Sequence, residues 1–72
     1  MIQFTKSALQ PEQFVIRDNG ESIGRATDDS IMIHKSSQDA EAFMTKEVIA
    51  EIKAEHKKTF PNGKIRKVLT LN

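Results

Sequence analysis

Two histidines, His34 and His56, the adjacent carboxylates Asp28-Asp29, and a run of cations between Lys53 and Lys67 are the residues of this chain with the clearest chemical potential. A metal site needs histidines and acids at ligand spacing, and neither histidine has such company in the sequence, so no metal is expected. Neighbouring aspartates on a turn point apart and favour turns for their own side-chain hydrogen bonds, which assigns Asp28 and Asp29 to turn structure. The sequence holds no cysteine, no glycine-rich phosphate loop and no serine in a nucleophile motif. Neither catalysis nor a cofactor is expected, and binding is the expected mode of action.

Two stretches could bind. Lys53, Lys57, Lys58, Lys64, Arg66 and Lys67 share their segment with the single acid Glu55. Such a set could neutralise several phosphates of a nucleic acid. Each half of it also has a structural reason to be basic, because lysine complements the dipole at a helix C-terminus and charges guard edge strands. Glu47, Glu51 and Glu55 run along one helix face and would repel a duplex laid there, so weak, sequence-blind nucleic-acid binding is the second expectation. Phe43 and Met44 carry the first. They plot away from the apolar stripe of the helix that contains them, and an exposed aromatic beside a methionine marks a surface for a partner protein.

These residues need elements to hold them. Ile2 to Lys6 alternates apolar and polar as a short strand, and Pro11 ends regular pairing after it. Gln13 to Arg17 forms the next strand, and Asn19-Gly20 is the strongest hairpin signal in the chain, since both central residues of a type I′ turn need positive φ. A two-residue loop there pairs Ile16 with Ile23 and Phe14 with Arg25. The next strand, Ile31 to His34, then needs a turn one residue longer than Asp28-Asp29 to put Ile31 and Ile33 on the face of Ile23, so a bulged, odd-length turn is predicted, with Met32 and His34 outward.

Ser36 to Asp39 supplies a helix N-cap, and no glycine or proline interrupts the chain from there to Thr59. The predicted helix places Ala42, Thr45, Val48, Ile49, Ile52, His56 and Phe60 on one stripe, with His56 at its wet end. Pro61-Asn62-Gly63 ends it, and Lys64 to Leu71 forms a last strand in which Ile65, Leu69 and Leu71 alternate. A helix returning between the fourth and fifth strands makes those two run in the same direction.

The layout between Gln13 and Phe60, three strands with an Asn-Gly hairpin and then a helix, resembles that of the DNA-binding arm of phage integrases and of plant domains of the same build. On that resemblance Arg17 and Arg25 are the sole candidate base readers, and the acids Asp18, Glu21, Asp28 and Asp29 among them argue against a phosphate-facing sheet, so the likeness is one of layout alone.

At 72 residues, 1–72 is expected to make one small domain with a thin core. The absence of cysteine favours a reducing, cytoplasmic setting. No apolar run approaches the ~20 residues that cross a bilayer, and the first residues lack the layout of a signal peptide. The expectation is an α+β fold of order β-β-β-β-α-β, a small mixed sheet covered on one face by one long helix. Its expected role is that of a small non-enzymatic regulatory or adaptor protein that binds another protein through Phe43 and Met44 or an open sheet edge. Self-association through that edge is the further possibility, and nucleic-acid binding the alternative.

Overall fold

A computed structural model describes residues 1–34 and 45–70. Among these residues five strands form one mixed sheet in chain order: β1 (Ile2–Lys6), β2 (Phe14–Asp18), β3 (Glu21–Ala26), β4 (Ser30–Ile33) and β5 (Lys67–Thr70). The first four are antiparallel neighbours, and β5 joins β4 in parallel after the helix α1 (Lys46–Thr59). The fold is therefore α+β, with the helix packed on one face of the sheet, as expected. Among the described residues no helix is long and apolar enough to cross a membrane.

Isoleucine makes the core. Ile2, Ile16, Ile23, Ile31 and Ile33 come from the sheet, where β-branched side chains fit the pleat, and Ile52 comes from the helix. All are buried, with Ala26, and Phe4, Val48, Phe60 and Ile65 close the margins. A layer this thin has no redundancy, so each side chain in it carries a large share of the stability.

The Asn19-Gly20 turn is as predicted, with φ of 52° at Asn19 and 87° at Gly20. A Cβ added at Gly20 would meet nothing within 4 Å, so the only obstacle to a side chain there is the backbone angle. Gly20→Val is expected to lower stability by on the order of 1 kcal/mol or more, because a β-branched residue resists positive φ, while Gly20→Asn should cost far less. Thermal melts of the two variants test this, and equal melting temperatures would mean that the turn tolerates a different backbone.

The predicted register is corrected. The odd residue lies in the β2–β3 pair and not in the turn after it: Ile16 faces Gly24, Arg17 faces Ser22, and Ile23 is the extra residue between them. The Asp28-Asp29 loop is the two-residue turn, closed by a bond from the Thr27 amide to the Ser30 carbonyl oxygen at 2.9 Å. With the shift already made at Ile23, Ala26 faces Ile31 and Gly24 faces Ile33, and one apolar face results without a longer turn. Met32 and His34 do lie on the outer face, half-buried and exposed respectively.

Two further expectations change, and one is not reached by the described residues. The proposed N-cap at Ser36 to Asp39 lies outside the described residues. Within them the helix starts at Lys46, and Thr45, which the stripe counted as apolar contact, is instead an exposed N-cap in extended conformation whose Oγ1 accepts from the Val48 amide at 3.3 Å. The last strand begins only at Lys67, so alternation does not run through from Ile65. Val68 sits beside Ile31 and turns to the helix side, while Leu69 beside Met32 turns to the other, and Leu71 is outside the described residues.

Candidate binding groove and sheet edge

The helix ends against the β3–β4 turn, and this junction shapes the site. Phe60 closes the helix with a 2.8 Å bond from its amide to the His56 carbonyl oxygen, and the Gly63 amide returns to the Phe60 carbonyl oxygen at 2.9 Å. Gly63 is required by proximity: a Cβ there would lie 2.6 Å from the Asp28 carbonyl oxygen. The chain then runs along the sheet, where the Arg66 amide donates to the Asp29 carbonyl oxygen at 2.7 Å and starts the pairing of β5.

His56 locks the junction from inside. Its side chain is only 2% exposed, and Nε2 donates to the Thr27 carbonyl oxygen at 2.7 Å. The ring packs at 4.8 Å from that of Phe60 and at 6.5 Å from that of Phe4. The expected wet position for His56 is thus overturned. One hydrogen bond satisfies the buried nitrogen that faces the turn, and the ring fills the core as an aromatic would.

Outside this lock a cavity of about 530 Å³ opens between the helix and the segment 61–66. Lys53 and Lys57, one helical turn apart, line one wall. Lys64 and Arg66, two residues apart on a non-helical segment, line the other, and Ile65 and Val68 supply apolar surface. None of these four cations pairs with a described carboxylate. The basic set read from the sequence therefore divides. Lys53, Lys57, Lys64 and Arg66 converge. Lys58 lies elsewhere on the helix, 3.7 Å from Glu55, and Lys67, next to inward Val68, projects from the opposite face of the sheet.

The other sequence-predicted residues that the structure describes are not brought to this site. Phe43 and Met44 lie outside the described residues. Asp28 and Asp29 form the turn, with Asp29 accepting from Thr27 Oγ1 at 3.0 Å. His34 is on the outer sheet face, where its Nε2 and Ser22 Oγ are 3.3 Å apart, whereas buried His56 belongs to the helix that packs on the other face. Arg17 is engaged within the sheet, donating to Thr5 Oγ1 at 3.2 Å and to the Gly20 carbonyl oxygen at 3.1 Å, while Arg25 shares an outer-face hollow with Gln13, Met32 and His34.

The open sheet edge expected from the sequence is assigned to a strand only by the fold. Among the described residues β5 is the last strand in the sheet, and Val68 and Leu69 on it are 45% and 44% exposed. The opposite edge, β1, buries Ile2 and presents Gln3, Thr5 and Lys6. Two exposed aliphatic residues on an edge strand are the signal, and they become visible only once the strand order is known. No family model matches the chain, and neither a curated protein nor a solved structure matches it.

Proposed function

We propose that this protein acts as a small regulatory or adaptor module that docks on another protein, with β5 as the contact. The observation that carries this reading is the apolar edge itself. An edge strand has a row of backbone N–H and C=O groups available for another chain, and proteins ordinarily protect such rows with charge, proline or cover. Here Val68 and Leu69 stand exposed on that strand, and Lys67 is the one charged residue within it. A partner strand adding to β5 would satisfy the backbone groups and cover both side chains, the mode by which many recognition domains take extended segments.

The test replaces Leu69 by lysine in the full chain. Leu69 points away from the helix and is half in solvent, so Leu69→Lys should leave the melting temperature within a few degrees of the parent. The proteins captured by the parent from nuclease-treated lysate should be lost by at least about tenfold with the variant. Captured proteins retained unchanged by a folded Leu69→Lys variant would remove β5 from the contact. Complexes that consist of this chain alone, growing with its concentration, would make the partner a second copy.

A further inference from the structure

We infer that the segment docking on β5 is acidic, and that its carboxylates occupy the groove lined by Lys53, Lys57, Lys64 and Arg66. The inference rests on the docking reading and names the chemistry of its partner.

Local structure accounts for only part of the charge in the groove. Lys57 is in the last turn of the helix, where a cation complements the dipole, but Lys53 lies before that turn, and Lys64 and Arg66 are beyond the helix altogether. Cations gathered in one concavity repel one another, and the field in such a cleft is focused by its low-dielectric walls. The whole chain carries a formal net charge of only +1, so this concentration is local and selects for an anion at this place. Arg66 brings a planar fork suited to carboxylate, and the lysines bring adaptable point charges.

The sheet edge decides which anion. Val68 belongs to both the groove lining and β5, and Arg66 immediately precedes that strand, so groove and edge are one continuous surface. A polypeptide paired with β5 leaves the strand over the groove, and only a polypeptide can answer the backbone groups of the edge. The apolar surface of Ile65 and Val68 suits a segment in which acidic residues adjoin aliphatic ones. A nucleic acid fits less well. Its phosphates could pair with the cations but would gain nothing from the strand edge.

The probes are fluorescein-labelled peptides. One joins a run of valine and isoleucine to a run of aspartate and glutamate, a second replaces each acid by its amide, and a single-stranded oligothymidine serves as the third. Binding to the full chain is followed by anisotropy at physiological ionic strength, with amide chemical shifts to locate it. The acidic peptide should bind at least about tenfold more tightly than its amide counterpart, and its shifts should cover residues 53–57 and 64–70. The double variant Lys64→Glu with Arg66→Glu, both at exposed positions, should abolish that preference. It should keep the weak binding of the neutral peptide at β5, whereas Leu69→Lys should weaken both peptides. Equal affinity for the two peptides, with shifts still on β5, would overturn the acidic assignment and leave the docking reading in place. Shifts confined to the groove, with none on β5, would overturn both. Oligothymidine binding more tightly than the acidic peptide, and lost in the double variant, would assign the groove to nucleic acid and overturn the inference. No binding of the acidic peptide would overturn it as well.

Discussion

Gly24→Ala should abolish the stable fold. An added Cβ would overlap the Met32 carbonyl oxygen and stand 3.1 Å from both Cα and Cδ1 of Ile33. The first two are backbone atoms of the paired strand, so the side chain has nothing soft to displace, and β3 and β4 must separate where Ala26 and Ile23 complete the core on either side. Overpacking of this kind costs about 3 kcal/mol, and loss of adjoining ladder bonds adds to it. Urea and thermal unfolding measure the effect. Pairing the substitution with Ile33→Val distinguishes its cause: valine removes Cδ1 but leaves the backbone in place, so no rescue is expected. Recovery of more than half the lost stability would show that the side chain, and not the strand, is the barrier.

The second large effect is at Ile52. It is 2% exposed and is the helix's one fully buried aliphatic residue, set against the isoleucines of the sheet. Ile52→Ala should cost roughly 2 to 5 kcal/mol, from lost transfer energy and from the cavity left behind. A chain of this length has only about 4 to 11 kcal/mol in total, so the variant is expected to melt far below the parent or to be unfolded at room temperature. Ile49→Ala, one position outside the centre of the stripe and half-buried, should cost distinctly less. Denaturant midpoints compare the two, and similar losses would mean that the helix seats on a different face from the one described.

Most of the element order was legible because it rests on local chemistry: an Asn-Gly pair, a proline-glycine helix stop and period-two isoleucines. The bulge was not, although its signal was present. Apolar alternation alone fixes only that one residue must be out of phase between Ile16 and Ile33. The position of Gly24 inside a strand was the discriminating feature, since glycine in a strand interior marks a bulge or a close backbone approach. It has both here, with Ile23 beside it having no partner on β2 and the Met32 carbonyl against it.

The burial of His56 depends on where the β3–β4 turn meets the helix end, a long-range contact that helical periodicity cannot supply. For the candidate site, composition showed that the last third of the chain is basic, but folding decides which charges meet. Lys53 and Lys57 face Lys64 and Arg66 because the chain reverses at Pro61 to Gly63, while Lys58 and Lys67 fall aside through a helical rotation and a strand pleat. An open edge was expected, but which strand forms it depends on strand order, which no local pattern gives.

The order of the sheet also implies an order of loosening. β2, β3 and β4 each neighbour the strand before them in the chain, so the ladder of the first four strands is built from contacts of short sequence separation, which form with little loop-closure entropy. β5 differs. It is four residues long, has β4 as its one described neighbour, and reaches it only after the chain has crossed by way of the helix. Its amides that bond to β4 should therefore exchange with solvent deuterium through local opening, well before those at the centre of β2 and β3 exchange through global unfolding. A strand held this way is reversible at its hem, and a partner that pairs with its outer side closes it from both sides. Slowed exchange at the β4–β5 seam, remote from the partner's own hydrogen bonds, is the record such a partner would leave.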